Sequence, residues 1–194
     1  MDAIALLKKD HATVKKLFSR LLDDREVAHV RGADLFTRLR TELAIHADIE
    51  EQLVYPLLRE RVPDHELDVL EALEEHHVAK TTLLELDKMS CDDERFEAKL
   101  TVLKEYVLHH VKEEETVLFP RLRKLLTKGE LETLAEQLTA AKKVAPTHPH
   151  PMAPDVPPMN FVTGLLAGGY DRARDLASSM LHLALAMVPL RSRA

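Results

Sequence analysis

Tryptophan is missing from this 194-residue chain, and it holds one cysteine and five glycines. A lone thiol, Cys91, excludes an internal disulfide framework and fits a reducing compartment. Scarce glycine, with Leu, Ala, Glu and Lys abundant, favours helix over sheet. Basic runs are also lacking. The 27 Lys and Arg are interspersed with 33 Asp and Glu, giving a formal charge of -6, so nucleic acid is not an expected partner. The opening "MDAIALLKKDH" has neither the basic start nor the long apolar run of a secretory signal. No uninterrupted apolar stretch is long enough for a membrane span. The expectation is a cytoplasmic, helical protein with one core-bearing domain and an appendage.

What is present is helical periodicity. One apolar stripe runs from about Asp2 to Leu22 through Ile4, Leu7, His11, Val14, Phe18 and Leu21. A second, from about Ala33 to Arg61, carries Leu35, Leu39, Leu43, His46, Glu50 and Leu57, with Pro63 and Asp64 ending it and capping the next. A third, from about Asp64 to Met89, passes through Val69, Leu73, His76, Leu83 and Leu86. The turn "SCDDE", with Asp92 as cap, leads into a fourth that reaches about Leu126, where Gly129 is expected to stop it. "ELETLAEQLTAAKK" reads as a shorter fifth helix. Short connections make sequence neighbours antiparallel neighbours, so the expected fold is all-α, an up-down-up-down four-helix bundle with a C-terminal helical extension. The expected divisions are a bundle with its fifth helix over 1–144, a proline-rich linker over 145–159 and an amphipathic helical segment over 160–194. That segment seeks a protein surface, its own or a partner's.

The chain also repeats itself. "HADIEEQLVYP" (His46 to Pro56) aligns without a gap on "HVKEEETVLFP" (His110 to Pro120), superposing His46 on His110 and Glu50 on Glu114. Upstream, "KDHATVK" aligns with "EEHHVAK", placing His11 on His76. Each half is a helix with one inward histidine followed by a helix with a His-x-x-x-Glu pair, whose members share a face. Two halves would bring His11, His46, Glu50, His76, His110 and Glu114 together in the bundle. Neutral imidazoles take borderline divalent metals, and carboxylates add charge and can bridge two ions. Such a set suits two irons, with manganese or zinc as competitors. Burying these polar groups with no cation would be costly.

The four segments "DHATVKKLF", "HADIEEQLVYP", "EEHHVAK" and "HVKEEETVLFP" resemble the hemerythrin-like family, the HHE cation-binding domain, over about Asp2 to Leu126. The resemblance implies a centre of two non-haem irons, oxo- or hydroxo-bridged, ligated by those six residues. Oxygen-carrying relatives place two histidines one turn apart on the third helix. Here Ala72 and Lys80 flank His76 at that distance, so the extra ligand has no counterpart. The implied activity is to bind, sense or detoxify dioxygen, nitric oxide or peroxide. The alternative is an iron-dependent sensor or interaction module whose stability reports metal or redox state to a protein partner of the C-terminal segment.

Other residues carry plainer expectations. His77 shares a face with Lys80 and Lys88, so His76 is the expected ligand. His109 should lie at the rim. Tyr55, half a helical turn from His46, is expected to pack in the core. Glu51 and Glu115 should turn about 100° away from their neighbours and tolerate change. His148 and His150 in "THPHP" are expected to be solvated, and Phe18 and Phe119 to wall the cluster from water.

Overall fold

The computed structural model describes residues 1–23, 31–62, 66–154 and 159–186, and among these every regular element is helical. In chain order they are α1 (Ala3–Asp23), α2 (Arg31–Ile49), a π turn (Glu50–Val54), α3 (Tyr55–Arg61), α4 (Glu66–Leu86), α5 (Phe96–Glu113), a second π turn (Glu114–Leu118), α6 (Phe119–Leu125), α7 (Lys128–Lys142) and α8 (Met159–Ala186). Helix α1, the run α2–α3, helix α4 and the run α5–α6 form the up-down-up-down bundle. Contacts of α1 with α2 and α5, and of α4 with α2, α3 and α5, hold it together. The cap expected of Pro63 and Asp64 lies outside the described residues, as do 24–30, 155–158 and 187–194.

The two π turns have a local cause. Pro56 and Pro120 cannot donate a backbone hydrogen bond, and a proline ring crowds the carbonyl one turn earlier. Both prolines sit in the first turn of the helix that follows, where a missing donor is tolerated. Just before them the chain closes one wider turn, with Tyr55 N–H donating to the Glu50 carbonyl and Phe119 N–H to the Glu114 carbonyl. An α-helix would turn Tyr55 about 140° away from Glu50. The five-residue turn brings both to one face.

Two expected caps are corrected. Leu126 is extended, and Thr127 caps α7 through a reciprocal box with Glu130, so Gly129 lies inside the first turn of α7 rather than ending the fourth bundle helix. Before α5 the capping position falls to Arg95, with no side-chain cap, and Asp93 closes the turn ahead of it by accepting from Arg95 N (2.9 Å) through its side chain and from Phe96 N (2.9 Å) through its carbonyl.

Apolar side chains form two clusters. At one end Ile4, Leu7, Ile49, Leu58, Val69, Leu73 and Leu122 pack with Leu131, Leu134 and Leu138 of α7. At the other end Val14, Phe18, Leu39, Leu43, Leu83, Leu100, Leu103 and Val107 pack together. The histidines interrupt each stripe at one level, so a polar layer lies between two dry ones.

Residues 145–149 are buried, which corrects the expectation of a solvated "THPHP". The fully buried Asp171 carboxylate of α8 accepts from Thr147 N (3.1 Å), His148 N (3.0 Å) and His150 Nε2 (3.0 Å). Asp175 accepts from Thr147 Oγ1 (2.7 Å) and contacts His148 Nε2 (2.8 Å). Gly168 lets α8 cross this strap, because a Cβ there would come within 1.9 Å of the Val144 carbonyl oxygen. The surface α8 finds is its own bundle. Its outer face leaves Leu165, Leu166, Tyr170, Leu176 and Met180 exposed. No helix among the described residues is long and apolar enough to cross a membrane.

Candidate metal centre

All six expected donors are buried and meet in the polar layer. His11 Nε2 and His46 Nε2 are 3.1 Å apart, and His76 Nε2 and His110 Nε2 are 3.0 Å apart. One imidazole pair thus comes from each half of the repeat. The glutamates join the pairs. Glu50 Oε2 lies 3.1 Å from His46 Nε2 and 3.7 Å from His76 Nε2. Glu114 Oε2 lies 3.1 Å from His11 Nε2 and 3.5 Å from His110 Nε2. Donor atoms of His11, His46, Glu50 and Glu114 fall within 4.8 Å of one another, as do those of Glu50, His76 and His110.

The donor set fits divalent cations. Both Glu50 oxygens and Glu114 Oε2 are buried with no hydrogen-bond partner. An uncompensated buried carboxylate costs several kcal/mol, and cations between the two imidazole pairs would offset that cost. Burial holds His46 down to about 4, and burial also lowers His76, which keeps both rings in the neutral, metal-binding form. Burial together with the Glu114 charge pushes the Glu50 carboxyl well up. For Glu114 burial acts in the same upward direction but is outweighed by His110, His11 and His46, so its carboxyl is held low.

Behind each histidine stands a carboxylate that sequence reasoning missed. Nδ1 of His11 faces Glu115 Oε1 (3.0 Å), Nδ1 of His46 faces Asp10 Oδ2 (3.6 Å), Nδ1 of His76 faces Glu51 Oε1 (2.9 Å) and Nδ1 of His110 faces Glu75 Oε2 (2.8 Å). Such partners fix the ring and aim the other nitrogen inward. Glu51 and Glu115 do turn away from the centre, yet they meet the outer nitrogens of His76 and His11, which corrects the expectation that they touch nothing of the site. The repeat held the signal. Its alignment pairs Asp10 with Glu75, Lys15 with Lys80 and Glu51 with Glu115.

Tyr55 is also drawn in. Its hydroxyl donates to Glu114 Oε1 at 2.9 Å and lies 3.3 Å from His76 Nε2. Phe119, its repeat counterpart, stacks on the His11 ring at 5.5 Å with no hydroxyl to offer. His77 is exposed, and the His109 side chain is 61% exposed. Toward the Phe18 end a cavity of about 30 Å³ is lined by the four histidines with Val14, Leu43, Leu83 and Val107. Lys80 and the half-exposed Tyr106 also line it.

A helical bundle with buried histidine and glutamate clusters able to hold metal defines a class, the helical cation-binding domains. Within it, residues 2–122 match the model of the hemerythrin HHE cation binding domain, so the chain belongs to the hemerythrin-like family. It is 33% identical over 173 residues to an uncharacterized hemerythrin-like protein of Schizosaccharomyces pombe, covering 87% of this chain and 82% of that one. It is 28% identical over 142 residues to a DNA nickase of a Nostoc species, covering 73% of this chain but only 39% of that protein. A crystal structure of a hemerythrin HHE cation binding domain-containing protein from Mycobacterium kansasii superposes with a TM-score of 0.64 at 27% identity, covering 74% of this chain and 86% of that one.

Proposed function

We propose that His11, His46, Glu50, His76, His110 and Glu114 hold two non-haem iron ions that act on a small ligand, namely dioxygen, nitric oxide or peroxide. One observation carries the reading: Oε2 of each glutamate lies between a histidine of one half and a histidine of the other, where a carboxylate could serve ions held by both halves. Iron there would supply redox-active, ligand-accepting positions. The protein's part is to keep the His46 and His76 rings neutral, to aim all four rings from behind, to keep Tyr55 O–H on Glu114, and to exclude bulk water with two apolar clusters. A 30 Å³ cavity has room for about one water or a diatomic molecule and none for an organic substrate. The working divisions are 1–144, 145–159 and 160–194, with residues 145–154 as a strap and α8 as its clasp.

The test loads metal-free protein with iron, reduces it without air and adds dioxygen, nitric oxide and peroxide separately. Two irons per chain and a spectral change with at least one ligand are expected. Iron well below two per chain sinks the reading. A reversible adduct indicates sensing or carriage, and repeated consumption indicates turnover.

A sensing reading draws on one contact. Asn160 of α8 donates to the Glu51 backbone carbonyl at 3.0 Å, inside the first π turn. Proteolysis of α8 should then differ between iron-loaded and metal-free protein, and identical rates would remove this reading.

A further inference from the structure

Three of the four carboxylates behind the histidines have a lysine of their own. Glu115 lies 3.3 Å from Lys15, Glu51 2.6 Å from Lys80 and Asp10 2.5 Å from Lys142. Glu75 breaks the pattern, and among the described residues no lysine or arginine pairs with it. Its Oε2 serves His110, while its Oε1 faces His109 Nε2 at 3.8 Å, and His109 Nε2 lies 3.3 Å from Glu113 Oε1. Donor atoms of Glu75, His109 and Glu113 fall within 4.8 Å of one another at the protein surface. Two carboxylates and an imidazole without a balancing cation are a donor set for a divalent metal.

A second observation gives this surface cluster a direction. Glu75 and Glu113, with Asp68 and Glu71, line a crevice of about 70 Å³ that extends to His110 and Glu114. Glu114 is fully buried, and its Oε2 has no hydrogen-bond partner. The crevice thus runs from a mouth of Glu71, Glu75 and Glu113, beside an Asp68 already paired with Arg121, to a carboxylate of the centre with one unpartnered oxygen. The other half has no equivalent. The repeat places Ala3, Leu6, Ile45 and Ile49 where Asp68, Glu71, His109 and Glu113 stand, and those four belong to the apolar cluster that includes α7 residues.

Resting on the centre proposed above, we propose that Glu75, His109 and Glu113 form a capture site for a divalent cation, which then passes along the crevice to Glu114 and His110. Acidic walls raise the local cation concentration and the rate of encounter. No lysine neutralises Glu75 because arriving cations do.

The experiment mixes metal-free full-length protein anaerobically with Co(II) and follows the visible absorption of bound cobalt, then counts cobalt per chain at completion. The combined His109→Gln and Glu113→Gln variant should load about tenfold more slowly yet reach the wild-type cobalt content. A Glu132→Gln control on α7 should load at the wild-type rate. Loading of the double variant at the wild-type rate overturns the capture site. So does a loss of final cobalt content, which would place these residues in the structure of the centre. Wild-type protein that binds no cobalt and no iron overturns the centre itself, and with it this inference.

Discussion

Replacing Tyr55 by Phe removes one oxygen atom and tests how the centre is balanced. The hydroxyl donates to the buried Glu114 at 2.9 Å, and Phe119 already shows that a phenyl ring fits the equivalent place in the other half. The packing loss is therefore small, and the hydrogen bond dominates. A bond to a charged acceptor contributes about 1.5–3 kcal/mol. For a chain of this size each kcal/mol moves the melting temperature by about 2–4 °C, so metal-free Tyr55→Phe protein should melt about 3–12 °C lower. On the proposed function, iron in the centre would partner Glu114 as well, and the drop should shrink in iron-loaded protein. Thermal unfolding by circular dichroism of both states measures this. An unchanged melting temperature in the metal-free state would refute the assignment of the hydroxyl as Glu114's donor.

Glu50→Gln or Glu114→Gln should lower iron occupancy with helix content retained. Glu51→Gln and Glu115→Gln, because they release the His76 and His11 rings, should weaken iron binding about 10–100-fold in chelator competition, and silent variants would deny the rings their orienting partners. Metal-free stability should fall as pH drops below about 4.5, because there the unfolded chain protonates Asp10, Glu51 and Glu114 while the folded one holds them ionised beside histidine and lysine partners. Denaturant melts across that range check the slope, and a flat profile would contradict those pairings. Gly168→Ala, which drives a methyl group into the Val144 carbonyl, should release α8 and speed tryptic cleavage at Arg172 and Arg174 while the bundle stays helical.

Much of the architecture was legible because the apolar stripes run at helical spacing and break at one level. His11 between Leu7 and Val14, and His76 between Leu73 and Leu83, sit where leucines would otherwise continue. That register also placed the six donors in one layer, while their role as ligands stays a proposal. What was not legible depends on departures from α geometry. Counting 100° per residue sent Tyr55 away from the centre, and one wider turn before Pro56 brought it back, while Glu51 and Glu115 stand behind the His76 and His11 rings, which no count along one helix could show. The proline positions carried a hint of this. Caps failed for another reason: Thr127 with Glu130 outcompeted Gly129 as punctuation, since a reciprocal side-chain box outweighs a glycine preference. The burial of "THPHP" depends on Asp171, more than twenty residues away, which no local pattern announces.

The hydrogen bond from Asn160 to the Glu51 carbonyl sets a boundary that sequence matching does not. In a π turn that carbonyl would be served by the residue five positions on, which is Pro56 and has no hydrogen to give. The donor comes instead from a helix that begins 37 residues beyond the end of the family match at residue 122, since α8 starts at Met159. Lys142 of α7, also beyond the match, neutralises Asp10 behind His46. A chain cut where the family resemblance stops would keep all six inner donors and lose two of the groups that satisfy their supports. The groups that support the inner donors therefore reach past the family match, and the longer stretch is the one to express, truncate or transplant.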